Sequence, residues 1–276
     1  MIKTFPLVSI LIPCYNHEKY VLETLNSVLS DTYPNKEIII IDDGSKDSSD
    51  AQISNWVTIN KNKIAIKYFT RNNRGICYTL NELIGISNGK YIIPLASDDI
   101  LINDTIFDRV QMLENNPDKM VLLSDAEVIN GEGVTIFSSS MEFHKVNKHN
   151  YYTRNGIMKQ TMVNLGISGA TVLINKDIYD IIGGYPKDII AEDWYFYQRA
   201  AGIGKILFYD QKVSLYRVHD SNTSNSLNYK IFSSIILSFI RNFSYFPGIF
   251  FKLLAIKQIA KFALIYLKIR LKSALK

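Results

Sequence analysis

The chain has 276 residues, 47% hydrophobic and 21% charged, which excludes disordered and fibrous classes and leaves one or two domains with a real core. Its only cysteines, Cys14 and Cys77, have no CxxC spacing and no Cys/His cluster nearby, which argues against a disulfide scaffold or structural zinc and for a reducing, cytoplasmic setting. The net charge of +5 is lopsided: residues 221–276 hold nine Lys or Arg and no Asp or Glu, while the rest holds 22 basic and 26 acidic residues.

The first apolar run, Leu7 to Pro13, is short, lies between Pro6 and Pro13, and has no small-residue cleavage site after it, so it reads as a buried strand rather than a leader. Glu37 to Ile41 (EIIII) repeats the pattern and ends on Asp42-Asp43. Between them Val21, Leu22, Leu25, Val28 and Leu29 line one face of a helix, with Pro34 beyond its end. A strand over Ile64 to Phe69, a helix over Ile76 to Ser87, a strand over Tyr91 to Leu95 and a helix from Thr105 to Asn115 follow. Strands alternating with helices predict a doubly wound, mainly parallel α/β sheet whose ligand lies at the carboxyl ends of the strands. Beyond Met120 the pattern loosens: VLLSDAEVI reads as a strand, Ser138 to Met158 as irregular acceptor-side loops, and KVSLYRVH as a last strand. The expected division is a nucleotide-binding half (1–120), an acceptor and catalytic half (121–225) and a basic helical tail (226–276).

Uncharged stretches in the tail are too short to span a bilayer, which takes about 20 apolar residues. At ~100° per residue Lys257, Lys261, Lys268, Lys272 and Lys276 share one quadrant, with Ile259, Phe262, Ala263, Tyr266 and Ile269 opposite. That pattern predicts a helix in a membrane interface; the plainer alternative is a helix packed on the body with a solvated basic face. An acidic body and a tail of lysines among bulky aliphatics do not suit nucleic acid.

Three acidic pairs stand where strands or loops end: Asp42-Asp43, Asp98-Asp99 and Glu192-Asp193. Carboxylates at a strand-end rim can hold a divalent ion that bridges a diphosphate, and another, held apart from it, can take a proton from a hydroxyl. Each pair also has an ordinary structural use: a DDGS turn, a helix cap, a surface helix residue. The order of the pieces weighs against coincidence. VSILIPCYN (8–16), IIIIDDGSKDSS (38–49), NNRG (72–75), NGKYIIPLASDD (88–99), GISGATVLINKDIYDIIGGYP (166–186), AEDWYFYQR (191–199) and YRVHDSN (216–222) together resemble the family 2 glycosyltransferases.

The resemblance covers residues 5 to 225 and implies a GT-A fold and transfer of a sugar, with inversion, from a nucleotide-diphosphate sugar to an acceptor hydroxyl. UDP-sugars are the family's commonest donors. It further implies that Pro13, Tyr15 and Asn16 form the nucleobase loop, that Asp42 and Asp43 bind base or ribose, and that Asn73 and Gly75 belong to the same donor site. Asp98 faces the diphosphate, Asp99 is the first choice as ligand to Mg²⁺ or Mn²⁺, and His219 is a second ligand. Asp193 is the base, and Glu192 orients it or binds the acceptor. Arg217 or Arg199 would balance the diphosphate. Ala96 replaces the first acid of the usual LDSDD form, which puts a third carboxylate at the ribose in doubt. YQRAAGIGK lacks the tryptophan of the QxxRW motif of processive synthases, favouring single-sugar transfer. With the membrane-seeking tail, this suggests a lipid-linked saccharide acceptor in cell-surface polysaccharide assembly, at the inner face of the cell membrane. A polyprenyl-phosphate sugar synthase and a non-catalytic nucleotide-sugar binder are the alternatives. GxGxxG and GxxxxGK[ST] are both absent, which sets aside dinucleotide enzymes and P-loop kinases.

Overall fold

Four parallel strands carry the first half. In the computed structural model, which describes residues 5–220, 222 and 229–274, β1 (Val8–Cys14), β2 (Lys36–Asp42), β3 (Ala65–Thr70) and β4 (Tyr91–Pro94) lie side by side in the order β3-β2-β1-β4. Helices α1 (Val21–Ser30), α2 (Ser49–Asn60) and α3 (Ile76–Ile86) connect them. The apolar runs are buried on both faces, as crossover helices require: Ile38 to Ile41 are all fully buried. Strand order reverses between β1 and β4, so their carboxyl ends open a crevice.

The sheet then becomes mixed. After β5 (Ile100–Leu101) and α4 (Thr105–Glu114), β6 (Val121–Ile129) and β7 (Thr135–Phe137) pair antiparallel. The segment expected to be irregular loops contains α5 (Ser140–Phe143) and the ten-residue α6 (Arg154–Val163), whose N-cap is Thr153. Strand β8 (Val172–Asn175) runs antiparallel to both β4 and β6, and β9 (Ile206–Arg217) runs parallel to β6. Two reversals restore the direction, so the carboxyl end of β9 shares the rim of β1, β2 and β4. Helices α7 (Ile178–Ile182) and α8 (Glu192–Gly202) precede β9. Only residues 203–205 separate α8 from β9, so α8 returns from the far end of the sheet, and its ~16 Å length brings Glu192 and Asp193 back towards the rim.

The tail is not a separate unit. Helices α9 (Tyr229–Arg241) and α10 (Gly248–Ala274) place Phe239, Phe246, Phe251, Ala255 and Phe262 in the same apolar core as α3, β8 and α8. The face expected to meet lipid is therefore the wrong one: Phe262 packs on Trp194 (ring centroids 5.5 Å) and Phe239 (6.3 Å), and Ile259 packs against the same core. The aromatic side chains of α8 and α9 give that face an apolar partner within the body. Residues 223–228 and Lys276, part of the tail reading, lie outside the described residues.

Candidate active site

The nucleobase-side loops are joined by their own polar groups. Asn16, in the left-handed region (φ 57°), donates its N–H to Ser45 Oγ (2.9 Å) and accepts at Oδ1 from the Lys46 N–H (2.7 Å). Asp42 turns the chain, its Oδ1 accepting from the N–H groups of Gly44 (3.0 Å) and Ser45 (2.8 Å), while its Oδ2 is buried with no partner. Gly44 is required here: at φ +80° a Cβ would lie 2.8 Å from the Asn73 backbone nitrogen. Asp43 is committed to the chain itself, accepting from the N–H groups of Arg74 (2.9 Å) and Gly75 (2.8 Å) and pairing with Arg71. It ties the NNRG loop to β2. Pro13 belongs to β1, and Tyr15 stands just beyond the strand, 46% exposed. The structure thus brings Asn16, Asp42, Asp43, Asn73 and Gly75 together and leaves the ring of Tyr15 open to solvent.

At the carboxyl ends of β4 and β9 lies a carboxylate–imidazole cluster. Asp98 Oδ2 is 3.0 Å from His219 Nε2 and 3.9 Å from His17 Nε2, and one ligand atom from each of the three residues falls within 4.8 Å of the others. His17 Nδ1 bonds Ser97 Oγ at 2.8 Å, which orients Nε2 towards Asp98. Burial lowers the His17 pKa, keeping the imidazole neutral and its lone pair available. One hard carboxylate oxygen and two imidazoles, orientated by an outer hydrogen bond, form a donor set that fits a divalent transition ion. A polar cleft of about 510 Å³ adjoins, lined by Asn16, His17, Tyr20, Gly131 and His219 among others. The short sequence pieces did not mark His17. Its signal is position: it lies three residues past the end of β1, on the rim strand next to β4.

Two expectations change. Asp99, the first choice for the metal, faces inward: Oδ1 accepts from the Arg217 N–H (2.9 Å) and Oδ2 from Ser168 Oγ (3.1 Å). Burial, then repulsion from Asp98, raises its pKa well above the carboxylate range. Asp98 is the acid that joins the imidazoles. Arg217, expected to balance a diphosphate, is only 1% exposed and holds the rim together. Its guanidinium donates to the Asp98 carbonyl (2.8 Å), the Asn130 carbonyl (3.3 Å) and Glu23 Oε2 (2.5 Å), and lies over the Tyr20 ring. Arg199 likewise binds Asn242 Oδ1 (2.7 Å) and the Ile182 carbonyl (2.5 Å) and stacks on Tyr195, locking α8 to α9 and away from any phosphate role.

Glu192 and Asp193 open α8. The N–H groups of Ile190 and Ala191, just before them, donate to Ser234 Oγ of α9 at 2.7 and 3.0 Å. Desolvation raises the pKa of both carboxyls, and repulsion from Asp193 raises Glu192 further. Their charge acts on the buried Cys77 thiol, which burial pushes up to about 12. A carboxyl so raised can exchange a proton near neutral pH, as a general base must.

Comparison with known proteins agrees with this geometry. Residues 9–182 match the model of "Glycosyl transferase family 2". An uncharacterized glycosyltransferase of Haemophilus influenzae is 30% identical over 230 residues, 82% of this chain and 69% of that protein. The poly-beta-1,6-N-acetyl-D-glucosamine synthase of Staphylococcus epidermidis is 30% identical over 191 residues, 67% of this chain but 43% of its own length. Among solved structures, S. aureus TarS 1-349 in complex with UDP-GlcNAc superposes with a TM-score of 0.67 at 21% identity, over 95% of this chain and 72% of that one. The mannosyltransferase PcManGT of Pyrobaculum calidifontis, in complex with GDP-Man and Mn²⁺, gives 0.69 at 16%, over 99% and 81%. The class is a GT-A-type sugar transferase. The chain belongs to glycosyl transferase family 2, and it is a glycosyltransferase.

Proposed function

We propose that this enzyme transfers a single sugar from a nucleoside-diphosphate donor to an acceptor hydroxyl with inversion, acting on a lipid-linked saccharide at the cytoplasmic face of a membrane during cell-surface polysaccharide assembly. The observation that carries the reading is the division of labour along one rim: an unpartnered buried oxygen on Asp42 beside Tyr15, a carboxylate–imidazole cluster at Asp98, and a desolvated acid pair opening α8. Tyr15 stacks on the nucleobase, and Asp42 Oδ2 accepts from a base or ribose donor. Asp98, His219 and His17 would hold Mg²⁺ or Mn²⁺, which when bound supplies positive charge against the leaving diphosphate. Asp193 takes the proton of the acceptor hydroxyl as its oxygen attacks the face of the anomeric carbon opposite the diphosphate, and Glu192 orients the acceptor. Complexes of UDP-GlcNAc with TarS and of GDP-Man with PcManGT support a nucleotide-sugar donor, and the missing QxxRW tryptophan supports one transfer per encounter. The location rests on the basic tail, since no helix among the described residues is long and apolar enough to cross a membrane.

Titration calorimetry of uridine, guanosine and thymidine diphosphates and their sugars, with and without Mn²⁺, tests the reading. One nucleotide should bind in the micromolar range only with the ion. Folded protein that binds none of them would sink it.

A further inference from the structure

Helix α10 is apolar on two opposite sides. Phe251, Ala255, Gln258 and Phe262, spaced four, three and four apart, are buried on the body side. Directly across, Ile249, Leu253, Ile256, Ala260, Leu264, Leu267 and Leu271, spaced four, three, four, four, three and four, face outward. Their six large side chains are between 53% (Leu267) and 72% (Ile249) exposed. The stripe runs unbroken for ~33 Å. At ~100° per residue, Lys257, Lys261 and Lys268 border it on one side and Lys252 and Arg270 on the other. Residues 229–274 contain no Asp or Glu.

A soluble surface rarely carries so long an apolar stripe without a partner. The borders identify that partner's charge. We propose that the outward stripe of α10, opposite the face picked out from the sequence, lies in the headgroup–acyl boundary of an anionic bilayer, its axis in the membrane plane and its cations reaching up to lipid phosphates. This rests on the membrane location given above. A second copy docked stripe to stripe would bring two cationic borders together, whereas anionic lipid complements both.

The pose also bears on catalysis. The inner face of α10 meets Trp194, the residue after Asp193, and its neighbour α9 holds the backbone leading into Glu192. Only the thickness of one helix, ~10 Å, separates Trp194 from the lipid. A saccharide headgroup on a membrane-anchored lipid therefore reaches Asp193 without leaving the bilayer.

Co-sedimentation of the full chain with phosphatidylglycerol vesicles and with phosphatidylcholine vesicles tests this, beside a variant carrying Leu253→Ser, Ile256→Ser, Leu264→Ser and Leu267→Ser, and one carrying Lys257→Glu, Lys261→Glu and Lys268→Glu. Wild type should prefer the anionic vesicles at least ~10-fold, and each variant should lose at least ~10-fold in binding, at about a kcal/mol per cation near the surface. Circular dichroism and Mn²⁺ binding, which these outward side chains should not affect, check the fold; Leu264→Asp alone serves if the fourfold variant fails that check. Wild type indifferent to vesicles overturns both this inference and the membrane location, while the donor titration still judges the transferase reading on its own. A serine variant that sediments like wild type overturns the inference and leaves the location to another surface. A dimer that the serine changes dissociate, with vesicle binding unchanged, makes a second copy the occupant and also overturns it.

Discussion

The two halves of the sheet use their carboxylates differently. In the first half Asp42, Asp43 and Asp47 accept hydrogen bonds from backbone amides of adjoining loops, so they build the donor site before any donor arrives. At the start of α8, burial raises the Asp193 pKa with no compensating hydrogen bond among its causes. Bonded carboxylates are held ionised and rigid, whereas a desolvated one is costly to ionise and so can trade protons. Substitutions in the first half should therefore affect folding and affinity, and those at α8 should affect rate.

The sharpest break between the halves is Asp193→Asn. It should lower the transfer rate by about 10²–10⁴-fold while nucleotide affinity stays within twofold, measured by steady-state kinetics beside calorimetry. An Asn variant at full rate would remove the base. In wild type the base works only when ionised, so the rate should climb with pH, with its half-rise above the ordinary carboxylate range. The stability sign is the opposite. Because the folded pKa of Glu192 is raised, its contribution is complete below the unfolded value and lost as pH climbs through the folded one. Glu192→Gln should then raise Tm by roughly 2–4 °C at about pH 8 and hardly at all at about pH 4, read by scanning calorimetry.

Arg217→Met probes the rim where the halves join. Removing a buried guanidinium that ties Glu23 to the Asp98 and Asn130 carbonyls should cost about 3 kcal/mol, with Glu23's exposure taken into account, or roughly 6–12 °C in Tm. An unchanged Tm with a lost diphosphate affinity would restore Arg217 to the role its sequence context suggested. Asp98 and Asp99 form a second contrast. Asp98→Asn should weaken Mn²⁺ binding by at least ~10–100-fold, whereas Asp99→Asn, replacing a carboxyl already held largely protonated, should change it less than about threefold. Equal losses would return the ion to Asp99.

What could be read from the sequence followed the same divide. The strands of the first half were legible because burial on both faces makes them continuous apolar runs, such as Ile38 to Ile41, ending on acids. Helix α2 was not, since only Ile53, Trp56 and two polar residues, Ser49 and Asn60, are buried and the rest is polar. Helix α6 was hidden similarly, with Gln160 and Thr161 among its buried residues. In the site, the acid pairs were visible as types. Which member faces the ion depended on the turn of one residue after β4, and the imidazole of His17 enters only because β1 lies beside β4. The low-contrast pattern of α10 has a related origin: a helix apolar on both sides resembles one with a single broad face until its partner is known.

Tyr15→Ala gives the smallest effect and tests whether the prebuilt loops do more than hold shape. The ring makes little contact with its own chain, 46% of it being exposed, so truncation should leave Tm within about 1 °C. Offset stacking on a base contributes about 0.5–1.5 kcal/mol, so the Kd for the nucleoside diphosphate should rise roughly 2–12-fold. The rise should be the same for the diphosphate and its sugar, because the ring lies at the base end, and a Phe variant should recover it. If instead the loss appears only with the sugar attached, Tyr15 reads the transferred group, and donor selectivity has to be sought on β1 rather than in the second half.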